Sequence, residues 1–407
     1  WPESATPSRS AFGGTLASMP GTLTPRSTTE SHRASSPLEL FLDLCFVVAV
    51  AQAAAALHHA IAEDHLRTAL IGYPIVFFGI WWAWMGYTWF ASAYDNDGVG
   101  IRLAVFVQIV GVLIIAAGIP RAFNDHDFTA MVLGYVVMRL AMVPLWLWAA
   151  RSDPPRRVTA LRYAFGITAL QVLWVGFLFV PAGWQVPAFL VLAIGELCVP
   201  AWGENAEPTT WHPHHIADRY AAFTIIVLGE SILSTMLAVA ASVDGGTPVG
   251  RVAPTVLGGV AIVCAMWWLY FSEPSGQFVS RARGNFEAGS SRAAYFWGYG
   301  HYVIYMAVAA AGAGIAAVVD AVSDDSQISL RTSTLALAVP VAVYVICMMA
   351  LHRHASDTAR QWIAYLVCAV AVVASGALGL PILGIGVLLA LLVAFVASGL
   401  GQGSDSD

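Results

Sequence analysis

Eight polar side chains stand where an otherwise apolar sequence offers them no water: Glu39, Asp43, Arg139, Glu196, His215, Arg219, Glu230 and His301. A charge at the centre of a membrane helix costs roughly 2.5–3.5 kcal/mol on insertion scales, so such groups face protein or a hydrated space and mark pathways. The chemistry open to them is ion pairing, proton exchange and contact with a polar solute. Walker A, GxGxxG, GxSxG and HExxH patterns do not occur, which withdraws support from ATP-driven transport within this chain and from the common hydrolase chemistries. No residue is assigned a catalytic role.

Glu39 and Asp43 are four apart and share one helix face, with Asp43 about 6 Å deeper at 1.5 Å per residue. Glu39 suits a helix start, where an acid complements the positive end of the dipole. Asp43 lies too deep for that and is expected to meet a buried partner or a cavity. Further on, His215, Arg219 and Glu230 project to similar faces of one helix, but Arg219 and Glu230 are roughly 16 Å apart along its axis and cannot pair. Glu230 sits near mid-membrane in Leu228-Gly229-Glu230-Ser231. It reads either as the structural partner of Arg139 or as a carboxylate in a hydrated pathway.

Glu196 is followed one turn later by Pro200, which permits close packing or a broken helix lining a cavity. His301, in Gly298-Tyr299-Gly300-His301-Tyr302, reads as a packing residue or as a proton-sensitive group. The Trp-rich stretches read as helix packing and interfacial anchors, with an aromatic cation cage as the alternative. His212-Pro213-His214-His215, with Glu204 and Glu207 upstream, matches no standard zinc spacing. No metal and no cofactor is called for.

The elements that must position these groups follow from composition. Of 407 residues, 58% are hydrophobic and 11% charged, against roughly 45–50% and about 25% in ordinary globular chains. So few charges cannot cover a soluble surface. With a mean hydropathy of +0.71 and repeated apolar runs of about 20 residues, the class is an all-α, polytopic integral membrane protein. Disorder throughout, collagen, a disulfide scaffold and a basic nucleic-acid binder are excluded. The five cysteines (Cys45, Cys198, Cys264, Cys347, Cys368) fall inside apolar segments and read as small buried hydrophobes.

Twelve transmembrane spans are predicted, at about 38–60, 68–92, 101–120, 129–150, 159–181, 183–202, 216–241, 253–272, 293–319, 330–351, 361–379 and 381–400. Every basic residue is Arg. Alternating the loops puts fourteen of them on the side of the N-terminal tail and four on the other, with Arg139 mid-span. That bias predicts a plasma-membrane protein with both termini cytoplasmic. Residues 1–36, rich in Ser, Thr and Pro, read as a disordered tail without the apolar centre of a signal peptide, and 402–407 as a short C-terminal tail. Residues 37–203 and 204–401 read as two six-helix repeats. The stretch from Glu39 to Gln52 recurs as Asp218 to Ser231, and Trp81, Trp82, Trp84 and Tyr87 recur as Trp267, Trp268 and Tyr270, at an offset of about 180. Six is even, so the repeats would run parallel.

Glu39-Leu-Phe-Leu-Asp43-Leu-Cys-Phe-Val, Gly118-Ile-Pro-Arg-Ala-Phe123, His215-Ile-Ala-Asp-Arg219-Tyr running to Gly229-Glu230-Ser-Ile-Leu, Trp267-Trp-Leu-Tyr-Phe271 and Tyr299-Gly-His301-Tyr occur in that order. Through them the chain resembles the bacterial low temperature requirement A family over about residues 33–400. Asp218 stands where the family pattern usually has Glu, which keeps the charge. The resemblance implies an integral membrane protein linked by name to growth in the cold, and it supplies no mechanism. The leading expectation is a secondary transporter or channel-like permeation protein, with Asp43 and Glu230 as ion-contacting carboxylates, Arg139 and Arg219 as counter-charges and His301 as a proton-sensitive group. Alternatives are a membrane-embedded enzyme acting on a lipid or isoprenoid, and a sensor or scaffold of membrane state. The expected partners are the lipid bilayer and a small solute or ion; homo-oligomers are compatible with the sequence, and nucleic acid is not expected.

Overall fold

The computed structural model describes residues 23, 25–26, 35–94, 98–272, 292–323, 327–351 and 359–398. Among them are twelve helices and no strand: α1 (Pro37–Ala62), α2 (Leu66–Tyr94), α3 (Val99–Asn124), α4 (Thr129–Ser152), α5 (Arg157–Phe177), α6 (Ala182–Glu204), α7 (Pro213–Asp244), α8 (Val249–Phe271), α9 (Arg292–Val322), α10 (Leu330–Leu351), α11 (Ala359–Ala377) and α12 (Ile382–Ala397). Helices are what an apolar chain can form in lipid, because each backbone polar group finds its partner within the same segment. Eleven of the twelve are long and apolar enough to cross a membrane. The exception is α12, whose 16 residues span about 24 Å, short of a hydrocarbon core of about 30 Å.

The outer surface carries exposed Leu70, Phe165, Val172, Leu190, Leu237 and Leu391 along its helices, the kind of surface that lipid covers. Cys198 and Cys264 belong to that surface. Reading all five cysteines as interior is corrected for these two, since lipid is as apolar as the protein core and gives a small apolar side chain no reason to turn inward. The second aromatic cluster differs from the first in the same way. Trp81, Trp82 and Trp84 are buried, while Trp267 and Trp268 face outward.

Two sets of hydrogen bonds define the ends of the bundle. On one, Arg26 N donates to Ala93 O (3.0 Å), His212 N to Ser92 Oγ (2.9 Å) and Tyr94 Oη to Asp153 Oδ2 (3.0 Å). This is the arginine-rich end. On the other, Gln327 N donates to Ala62 O (3.1 Å) and His58 Nε2 lies 2.6 Å from Asp320 Oδ2. Most of the tail read as disordered lies outside the described residues. Leu23 is an exception: it is fully buried and its N–H donates to Ser152 Oγ (3.1 Å).

The order of neighbours in α1–α6 recurs in α7–α12. Helix α1 packs on α2 and α3, α3 on α4, α4 on α5 and α5 on α6; α7 packs on α8 and α9, α9 on α10, α10 on α11 and α11 on α12. The crossings match in detail. A Cβ on Gly111 would strike Gly134 O, and one on Gly314 would strike Leu337 Cα, both positions 203 residues later. Pro181 caps α6 and Pro381 caps α12. The two halves also differ in how their second and sixth helices meet. Helices α8 and α12 pack closely, with Gly258 against Leu383 N and Gly386 against Ala261, whereas α2 and α6 stand apart and meet only through long side chains.

Candidate functional site

The gap between α2 and α6 is a cleft of about 770 Å³ of empty space, its opening included, lined by α2, α4, α5, α6, the segment between α6 and α7, and the start of α9. Seven aromatic side chains line it, Trp82, Trp89, Trp146 and Trp211 among them, and Arg139 is the one cation in the lining. Glu204, Thr209 and Trp211 lie at the arginine-rich end. Arg139 is thirteen residues from the end of α4 at Ser152, so the cleft reaches about 20 Å into the bundle at 1.5 Å per residue. That depth is near the middle of α4.

At the floor, Arg139 Nη2 donates to Glu196 Oε2 (3.0 Å). Trp82 Nε1 donates to the same oxygen (2.9 Å), and Gln171 Nε2 and Trp174 Nε1 donate to Oε1, both at 3.2 Å. Glu196 is thus a fully buried carboxylate with four donors, the condition under which a buried ion pair repays its desolvation. It is absent from the cleft lining, which Arg139 does reach; the pair turns its positive end to the empty space. Arg139 Nε is buried with no hydrogen-bond partner. Of the two readings of Glu230, the one as structural partner of Arg139 is corrected, since Arg139 pairs with Glu196. Both acids lie mid-span, and depth alone does not tell them apart. Helix α6 continues through Pro200, which lines the cleft and lacks the N–H that would bond Glu196 O.

A second cluster joins α1 to α7. Ser36 caps α1: its hydroxyl accepts from Glu39 N (3.3 Å) while Glu39 Oε2 accepts from Ser36 N (2.7 Å), a capping box. The other oxygen of Glu39 lies 2.9 Å from Arg219 Nη1 and 3.0 Å from His215 Nε2. Asp43 Oδ1 accepts from Arg219 Nη2 (2.6 Å) and from Trp84 Nε1 (2.7 Å). Glu39, Asp43, His215 and Arg219 are all shut off from solvent. Glu39 therefore holds its helix start with one oxygen and α7 with the other, and Asp43 has the buried partner expected of its depth.

Helix α2 is the wall between the two clusters. Trp82, Gly86 and Trp89 face the cleft, at i, i+4 and i+7, while Trp84 donates to Asp43 and Thr88 accepts from Arg219 on the other side. One residue ties the sides together: Trp89 Nε1 donates to Tyr220 Oη (3.0 Å), next to Arg219 in the chain.

The other two expected site residues lie outside both clusters. Glu230 is buried, accepts from Ser234 Oγ (2.6 Å), and has no ion-pair partner among the described residues. His301 lies between Trp297 O (2.7 Å) and Tyr270 Oη (2.9 Å), inside an aromatic core with Tyr220 and Tyr305. Of the histidine run, His215 turns to Glu39. Among the described residues no three His, Cys, Asp or Glu side chains converge as metal ligands.

The family profile described as "Bacterial low temperature requirement A protein (LtrA)" matches residues 34–398. The chain belongs to the LtrA family. The resemblance read from the sequence motifs is borne out over nearly the same span. An uncharacterized protein of Rhizobium meliloti (strain 1021), RA0937, is 26% identical over 289 residues, covering 69% of this LtrA chain and 68% of its own. No solved structure matches. Of the eight candidate side chains, those of the α1–α7 cluster, Glu230 and His301 fall within the five sequence motifs. The cleft residues Trp82 and Arg139, and Gln171, Trp174 and Glu196 behind them, fall outside the motifs, and the tryptophan-rich stretches read from sequence as packing and anchors, with an aromatic cage as the alternative. A signal was present in the helical spacing of Trp82, Gly86 and Trp89, which separates them from Trp84 and Thr88.

Proposed function

We propose that this LtrA protein is a secondary transporter for a small organic solute, with the cleft as its entry from the cytoplasmic side. The supporting observation is the cleft itself. An aromatic-lined space runs from the arginine-rich end to a buried guanidinium near mid-membrane, the depth at which transporters of repeated architecture hold their substrates. The recurrent neighbour order favours two parallel six-helix repeats, and the positive-inside rule favours cytoplasmic termini in the plasma membrane.

The α1–α7 cluster is the coupling element in this account. Two carboxylates face one guanidinium there, so neutrality in a dry site requires one further proton, and the His215 imidazole is placed to carry it. Glu39 and Asp43, the acids a headgroup-directed enzyme would use, are sealed inside the bundle, and no observation favours that alternative. The test is proton movement in proteoliposomes loaded with a pH-sensitive dye and challenged with a panel of small organic anions, cations and neutral solutes. One class is expected to drive proton flux only where the protein is present, with the flux lost in Asp43→Asn. Vesicles indifferent to every class contradict the proposal.

A further inference from the structure

The lining of the cleft also selects a kind of solute, and we infer that Arg139 grips the carboxylate of a small organic acid whose flat, apolar body stacks among the cleft's aromatic rings. This rests on the transport reading for its biological sense but stands on separate observations. Arg139 is buried, reaches the cleft, and holds Nη1 against Gly86 of the lining. A carboxylate arriving there gains charge-assisted hydrogen bonds from the guanidinium. The counter-charge of Arg139 lies behind it: both oxygens of Glu196 are taken up by four donors. An arriving solute therefore meets the guanidinium first.

One further feature narrows the class. Aromatic faces would also welcome a cation, but a cation at the floor would lie against Arg139, so the rings are left to stack on an uncharged body. At the mouth, Glu204 is occupied by Tyr163 Oη (2.9 Å), Thr209 N (2.8 Å) and Thr209 Oγ1 (3.0 Å). Arg156 is paired with Asp153 Oδ2 (3.3 Å) and held on Pro208 O, and Arg162 is held on Trp202 O.

The experiment uses the whole chain in lipid nanodiscs with radiolabelled 2-naphthoate as probe. Saturable binding is expected, with 2-naphthamide competing at least tenfold more weakly, decanoate more weakly than unlabelled naphthoate, and naphthyl-trimethylammonium not at all. Arg139→Gln/Glu196→Gln, which removes both charges together, should lower naphthoate affinity at least tenfold. Should that pair fail to fold, Gly86→Ala carries the test, since a Cβ there would displace the flexible end of Arg139, and the same loss is expected. No binding, equal competition by the amide, preference for the ammonium or unchanged affinity in the folded variants overturns the inference. Equal competition by decanoate overturns its aromatic part and points to a lipid-derived acid. Binding without flux in the proteoliposome assay sinks the transport reading and leaves this site standing; flux of another class without naphthoate binding does the reverse.

Discussion

Arg139 of α4 and Glu196 of α6 meet at 3.0 Å, and their pairing is the only charge-to-charge contact at the floor of the cleft among the described residues. Removing one member leaves the other buried and uncompensated, which costs about 3–5 kcal/mol, whereas replacing both by apolar groups of similar volume is near neutral. Glu196→Leu should therefore lower the thermal unfolding midpoint in nanodiscs sharply, and Arg139→Leu/Glu196→Leu should restore most of it. A double variant no better than the single one would mean the pair is not the structural unit described.

The two oxygens of Glu39 do separate work, and a pair of substitutions resolves them. Glu39→Gln keeps an acceptor for Ser36 N–H and loses the charge facing Arg219 and His215; Glu39→Ala loses both. The difference between the two reports the cap, worth about 1 kcal/mol. Equal stabilities would show that Glu39 does not cap α1.

At the crossing of α3 and α4 the backbones come within reach because neither Gly111 nor Gly134 has a side chain. A Cβ on Gly134 would lie 2.6 Å from Gly111 O and from Ile115 N, backbone atoms that cannot swing aside. Gly134→Ala is expected to cost about 1–3 kcal/mol as overpacking. Gly229 supplies the control, with nothing within 4 Å of its added Cβ; Gly229→Ala should be neutral or stabilising by up to about 1 kcal/mol. Thermal unfolding of the two variants side by side decides it.

Glu230 has a hydroxyl partner and no ion pair among the described residues, so Glu230→Gln breaks no charge contact. The fold should survive with an unfolding midpoint within a few degrees of the parent. If Glu230 belongs to the proton path, flux in proteoliposomes falls at least tenfold; unchanged flux removes it from the mechanism.

Much of this was legible in the chain. Span boundaries follow from where apolar runs stop, and α10 was placed to the residue because Arg331 and the segment after Leu351 bracket it. Burial of all eight candidate side chains follows from the cost of exposing them to lipid. Pairing was not legible. Arg139, Glu196 and Glu230 all lie mid-span, and which two meet depends on how helices turn about their axes, which one sequence does not state. The capping role of Ser36 is legible in the capping-box spacing of Ser36-Pro-Leu-Glu39, beside the dipole role of Glu39. The cleft was hidden for a third reason: it arises from the separation of α2 and α6, whereas Gly258 and Gly386 let α8 and α12 close.

The central claim is that the cleft opens from the arginine-rich end, proposed to be cytoplasmic, down to Arg139. Val199 lines it, and a Val199→Cys variant in a cysteine-free background reports access directly. The account expects an anionic methanethiosulfonate to modify this thiol rapidly in inverted vesicles and not in right-side-out ones. Modification only from the outside, or from neither side in a folded protein, would contradict it.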